Sequence, residues 1–133
     1  MVINSPLSVT LPRKTMPDRK IILNLNNYST ILNRFTYNNA KISYCEALQG
    51  VLSGLKLKTP ITLHYTLFKA SNRKSDRMNV GAVIDKFFCD ALTHYECIPD
   101  DTDEFITRQT FETGGVDKNN PRITINIIEN ETN

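Results

Sequence analysis

The sequence predicts an α+β domain, and three observations predict it. Pro60 to Phe68 (PITLHYTLF) and Arg122 to Ile128 (RITINII) alternate apolar residues with the two-residue period of a strand. Ala40 to Leu55 and Asn79 to Tyr95 repeat apolar residues at the 3.6-residue period of a helix. The second helix is followed by two strand-like segments separated by turn residues, which argues for a mixed or antiparallel sheet with both main helices on one side. The predicted order is β-α-β-α-β-β.

The segments follow in turn. Residues 1–18 contain Pro6, Pro12 and Pro17 and read as an irregular arm, with room for a short edge strand at Leu7 to Leu11. Lys20 to Asn26 is rich in branched residues and reads as a strand. Asn27 to Asn39 is polar and aromatic and reads as a structured loop. In Ala40 to Leu55 the spacing of Ile42, Cys45, Leu48, Leu52 and Leu55 predicts a helix with Asn39 as its cap. Gly50 and Gly54 weaken that helix by about 1 kcal/mol each relative to alanine. In the strand at Pro60 to Phe68, Ile61, Leu63, Tyr65 and Leu67 form one apolar face, and His64 falls on the other. After the second helix, Glu104 to Glu112 reads as a strand. Thr113 to Pro121, with Gly114-Gly115 and Asn119-Asn120-Pro121, reads as a hairpin loop into the last strand. One domain over residues 19–129 is therefore expected, between the arm and a frayed tail at residues 130–133.

Composition narrows the class. A chain of 133 residues, 40% hydrophobic and 23% charged, is globular and forms one domain. No run of about 18 apolar residues exists, so no membrane span is expected. The first residues show no apolar stretch behind a basic start, which favours the cytoplasm. Three cysteines without a CxxC pair argue against a zinc site and a disulfide framework, and Cys45 and Cys89 fall in apolar-periodic segments as core thiols. The two histidines, His64 and His94, have no evident cysteine partner.

Charge is unevenly spread. Residues 1–84 carry 12 Lys/Arg against three acids, and residues 85–133 carry four against 11, so +9 and −7 give the net +2. A phosphate-facing basic surface beside an acidic metal site has this pattern, and so do two halves that neutralise each other across the fold.

The asymmetry is concentrated in Lys69 to Glu104. Lys69, Arg73, Lys74 and Arg77 form a basic loop around Asp76, and Asp100, Asp101, Asp103 and Glu104 form an acidic turn after the helix. On the helical wheel Val80, Ile84, Phe87, Phe88, Ala91 and Tyr95 make the buried stripe, while Asn79, Lys86 and Asp90 share another side. Asp85 lies about 120° from that polar group and is not expected to join it. Lys86 and Asp90 also fit an i,i+4 surface ion pair. Phosphodiester hydrolysis needs a water nucleophile and a neutralised phosphate. Carboxylate-bound Mg²⁺ with a nearby lysine supplies both. Asp76 and Asp101, with Asp100 or Asp103, are the candidate metal ligands, and Lys86 is the electrostatic partner. Lys69, Arg73, Lys74 and Arg77 would meet backbone phosphates without reading sequence. A solvated basic loop and a solvated acidic turn are the alternatives.

The stretches Asp76-Arg77-Met78-Asn79, Asp85-Lys86-Phe87-Phe88-Cys89-Asp90-Ala91-Leu92 and Ile98-Pro99-Asp100-Asp101 together resemble the RusA-type Holliday junction resolvases of phages and prophages. Leu23 to Tyr28 and Asn39 to Lys41 are also similar to that family, so the resemblance runs from about Lys20 to Ile128. It implies a RusA-like fold and a Mg²⁺-dependent homodimer, with Mn²⁺ as a substitute, that nicks four-way DNA junctions in pairs inside a bacterial host cell. By position it implies catalytic roles for Asp76, Lys86 and Asp101, with Asp100 beside the last, and supporting roles for Asn79 and Asp90. One position departs: the family's second aspartate falls on Met78, with Asp85 and Asp103 as the nearest substitutes. The alternative expectations are a non-catalytic relative that binds junction DNA, and a partner-binding protein without nucleic acid.

Overall fold

The structure, a computed structural model, describes residues 1–28, 34–74 and 76–129. It is an α+β fold. Among the described residues, six strands and three helices run in the order β1 (Val2–Ser5), β2 (Ser8–Leu11), β3 (Arg19–Ile22), α1 (Arg34–Ala47), α2 (Gln49–Leu52), β4 (Ile61–Lys69), α3 (Arg77–His94), β5 (Ile106–Val116) and β6 (Arg122–Glu129).

The main sheet is mixed and four-stranded, in the order β1-β6-β4-β5. β6 pairs antiparallel with both β4 and β1, and β5 pairs parallel with β4. The alternation read from the sequence sets the faces. Ile61, Leu63, Tyr65 and Leu67 of β4 and Ile123, Ile125 and Ile127 of β6 are buried on the same face, toward the helices. Thr62, His64, Thr66 and Phe68 lie half-buried on the other. α3 fills the helix layer with Val83, Ile84, Phe87, Phe88, Ala91 and Leu92. α1 packs its Tyr44 ring 5.6 Å from that of Phe87. The Tyr44 hydroxyl and Ser5 share a 2.7 Å hydrogen bond, which ties the helix to β1.

Several expected boundaries are corrected. The first eighteen residues are not an irregular arm: β1 completes the main sheet and β2 pairs antiparallel with β3. Ile3 and Val9 are buried, and their cross-strand partners supply the energy that local sequence did not reveal. The expected edge strand at Leu7 to Leu11 is present as β2, and the strand expected at Lys20 to Asn26 is the shorter β3. Residues 34–39, expected in a loop, open α1, so Asn39 lies inside that helix and does not cap it. Residues 29–33 of that expected loop, and the tail at 130–133, lie outside the described residues. The helix expected to Leu55 breaks after Ala47 and resumes as the short α2.

The largest correction concerns the expected hairpin. β5 and β6 are not neighbours; they flank β4 on opposite sides. α3 carries the chain back to the start of β4, where the Ile61 amide donates to Phe105 O, so β5 must run parallel to β4. Gly114 and Gly115 lie within β5. A Cβ on Gly114 would come within 2.6 Å of Thr66 Cγ2 and 2.7 Å of Phe68, so glycine there serves close approach to β4. The true turn is residues 117–121, which pass the end of β4. Arg122 Nη1 closes it by donating to Asp117 Oδ2 at 2.8 Å and Asn120 O at 2.9 Å.

Candidate active site

α3 is positioned by its ends and by one stripe. Asp76 is its N-cap and accepts the Met78 amide at 2.9 Å. The expected start at Asn79 moves to Arg77 because this cap satisfies a first-turn amide that would otherwise lack a partner. The stripe is Gly81, Asp85 and Cys89, spaced i, i+4, i+8, and it faces β5. A Cβ on Gly81 would meet the Phe111 ring at 2.9 Å, so the ring packs directly on the helix backbone there. Phe111 in turn stacks on Tyr65 with centroids 4.8 Å apart and planes at 7°.

One turn further on, Asp85 is the most heavily hydrogen-bonded carboxylate of the described residues. Its Oδ1 accepts the Tyr65 hydroxyl at 2.5 Å and the Cys89 thiol at 3.4 Å. Gln109 Nε2 bridges both carboxylate oxygens at 2.9 and 2.8 Å. Burial pushes the Tyr65 hydroxyl and the Cys89 thiol well above their ordinary pKa values, and the charge of Asp85 pushes both further. Both therefore stay protonated as donors, and Asp85 is the acceptor. The carboxylate is half-buried and Gln109 is exposed, so the group opens to solvent along the α3/β5 seam.

The expected ligands stand differently. Asp76 follows the C-terminal end of β4, while Phe105, just beyond the acidic turn, bonds to Ile61 at the N-terminal end. Those ends are about 26 Å apart for nine residues. The fold therefore does not bring Asp76 and Asp101 together within one chain. Asp100 folds onto its own segment, its Oδ1 accepting the Asp101 amide at 2.8 Å, and Asp101 and Asp103 are exposed. The charge of Asp101 contributes, as the smallest of the causes, to raising the Cys89 thiol. Among the described residues, no group of three or more His, Cys, Asp or Glu side chains could hold a metal ion.

The remaining expected residues divide. Lys86 is exposed on α3. Asp90 does not pair with it; it meets Lys41 of α1 at 3.5 Å, because the two helices pack along that side. Asn79 Oδ1 accepts the Leu25 amide at 3.2 Å, a tie between the start of α3 and the segment after β3. Arg73, Lys74 and Arg77 are exposed, and Lys69, half-buried, ends β4 with its carbonyl accepting the Asp117 amide at 2.8 Å. Lys69, where the basic loop begins, is thus about 13 Å along β4 from Tyr65.

Tyr65 and Gln109 were not singled out as site residues by the sequence, and Asp85 entered only as a substitute for the aspartate that falls on Met78. One signal was present: the wheel sets Asp85 apart from the solvent-facing polar group, and an acid off the solvent face needs partners. Those partners come from β4 and β5, remote in sequence.

Comparison with protein-family models and with curated proteins finds no match. No helix among the described residues is long and apolar enough to cross a membrane.

Proposed function

We propose that this protein is a Mg²⁺-dependent, structure-selective endonuclease that cuts branched DNA, four-way junctions foremost, in the manner of the RusA-type resolvases it resembles. The observation that carries this reading is the Asp85 carboxylate, fixed by Tyr65, Gln109 and Cys89 at an open seam, with a cation-rich loop that begins at Lys69, about 13 Å along β4 from Tyr65.

The Asp85 carboxylate fits a magnesium ion in chemistry. Mg²⁺ takes hard oxygen ligands, keeps several waters, and needs only one or two carboxylates. Asp85 and Asp101 would hold it, and Asp85 takes the role that the resemblance assigns to the residue standing here as Met78. When bound, the ion supplies charge neutralisation at the phosphate and a more acidic water. The chain's own residues do the rest. Tyr65 and Gln109 fix the rotamer of Asp85, so no side-chain ordering is needed at the moment of reaction. Arg73, Lys74 and Arg77 bind phosphates on either side of the scissile one, which selects for shape and charge and not for base sequence. Lys86 reaches toward solvent, where it can meet a further phosphate. Asp76 supports the site at a distance by starting α3.

The test is cleavage of a synthetic four-way junction with and without Mg²⁺, beside a linear duplex of equal length. Paired nicks that need the metal and are lost in Asp85→Asn support the reading. A second reading, a non-catalytic junction binder, is favoured by the lack of a three-ligand cluster among the described residues. It predicts tight junction binding with no product in Mg²⁺ or Mn²⁺.

A further inference from the structure

The chain leaves the main sheet for the second one between Ser5 and Ser8. Ser5 still pairs with Ile123 of β6, whereas Ser8 pairs with Ile22 of β3. Pro6 marks the step. It has no amide to give to either ladder, and its carbonyl accepts the Ser5 hydroxyl at 3.1 Å. The Leu23 amide then donates to Leu7 O at 2.9 Å, which fixes the end of β3 beside the link. Sheets that part at this link leave a gap between them. Residues just after β4 and in the turn before β6 complete its walls. The result is a cavity of about 590 Å³. Small-molecule sites run from about 300 to 1,000 Å³.

The lining combines cations with an apolar surface. Its charged residues are Lys20 and Arg122, and it holds no carboxylate. Asn4 and Asn120 add side-chain amides, which both donate and accept. Ile22 and Pro121 supply apolar surface, and Ile22 is 49% exposed. Lys20 and Ile22 lie two positions apart on β3, on the face opposite buried Ile21, so one strand presents a cation and an apolar patch together. Arg122 is held in one orientation. Its Nη1 donates to Asp117 and to Asn120 O, and its guanidinium lies 4.3 Å from the centroid of the Phe68 ring. Asp117 offsets part of that charge but does not line the cavity. A guanidinium has further donors on Nε and Nη2. A cation that is already ordered loses little freedom when it meets an anion.

We propose that this cavity binds a small phosphate monoester carrying a ring, of the size of a nucleoside monophosphate. Such a phosphate holds a charge of about −1.5 to −2 at neutral pH. Lys20 and Arg122, on separate strands, match that dianion, whereas a carboxylate would need only one of them. The ring lies on Ile22 and Pro121, and the amides of Asn4 and Asn120 take hydroxyls or ring edges. The cavity shares no residue with the group of Asp85, Tyr65 and Gln109. Binding here does not depend on the nuclease reading and is measured without cleavage, so either can fail without the other.

The experiment is titration of the full chain, without divalent metal, with adenosine 5′-monophosphate, adenosine and inorganic phosphate. Calorimetry gives affinity, and amide chemical shifts of the isotope-labelled chain give location. The nucleotide is expected to bind saturably and to shift the amides of Ser8, Ile22 and Asn120. Adenosine lacks the charge and inorganic phosphate lacks the ring, so each is expected to bind at least about tenfold more weakly. Lys20 and Ile22 are exposed, so Lys20→Glu and Ile22→Asn should keep the native spectrum. Each is expected to weaken the nucleotide at least about tenfold. Absence of saturable nucleotide binding overturns the proposal. So does inorganic phosphate that binds as tightly as the nucleotide, or a nucleotide bound as tightly by either variant as by the wild type. Shifts centred on Arg73 and Lys74 in the wild type, which need no variant, overturn it as well. A linear duplex is the other source of phosphate. Nucleotide that stays bound at saturating duplex supports a free small molecule as the ligand, and nucleotide that the duplex displaces overturns it.

Discussion

The Tyr65 hydroxyl, from the centre of β4, donates a 2.5 Å hydrogen bond to Asp85 in the middle of α3. The tyrosine is 1% exposed, whereas the carboxylate it holds reaches solvent. A buried group thus fixes an accessible one. Tyr65→Phe keeps the stacking on Phe111 and leaves no orphaned donor. It is expected to cost about 1.5 kcal/mol, the worth of a hydrogen bond to a charged group. The denaturant midpoint should fall with an unchanged slope, and junction cleavage should slow while binding persists.

Exchanging single carboxylates separates chemistry from architecture. Asp85→Asn and Asp101→Asn are expected to abolish cleavage while the junction is still bound. Asp76→Ala removes the cap of α3 and should cost about 1 kcal/mol. Asp76→Asn keeps a good cap, and cleavage at the parent rate is expected. A collapse of activity in Asp76→Asn with normal stability would return Asp76 to the catalytic set.

Gly81→Ala tests the packing of α3 on β5. Alanine gains up to about 1 kcal/mol of helix propensity. Its Cβ would lie 2.9 Å from the Phe111 ring, which is already stacked on Tyr65. Overpacking costs about 1 to 3 kcal/mol, so a net destabilisation near 1 kcal/mol is expected from urea titration.

The basic loop is tested by salt. Replacing Arg73, Lys74 and Arg77 together by alanine should flatten the dependence of log affinity on log salt by roughly 2 to 3, at about 0.9 for each duplex phosphate that is no longer neutralised. An unchanged slope would remove these residues from the DNA surface.

The thiols give a pH dependence. Burial raises Cys45, Cys89 and Cys97 above their ordinary values. At pH 8 the folded protein should resist a thiol reagent, and all three should react after unfolding. A folded pKa above the unfolded one stabilises the protein below the unfolded value of about 8.5, and that stability is lost as pH rises further. The unfolding midpoint should therefore fall between about pH 8.5 and 10.

Much of the core was legible because its periodicity is local. Ile61, Leu63, Tyr65 and Leu67 declare a strand face, and Ile84, Phe87, Phe88 and Ala91 a helix face, in any surroundings. The N-terminal strands were less legible. β1 is four residues long, and its partner β6 lies more than 110 positions away in the chain. Glycine pairs are ambiguous too. Gly114-Gly115 read as a turn, but β4's Thr66 and Phe68 require glycine for close approach.

The sequence by itself determined the α+β class, the main apolar faces and the basic and acidic stretches, because each follows from the composition and period of a short window. Only the tertiary structure decided which carboxylate is held and which strand is left at the edge. Asp85 gains Tyr65 and Gln109 because β4, α3 and β5 wind back on one another. That same crossover makes β5 parallel and sets Asp76 and Asp101 at opposite ends of β4. Contacts between residues 20 or more apart depend on the path of the chain, and no local period encodes that path.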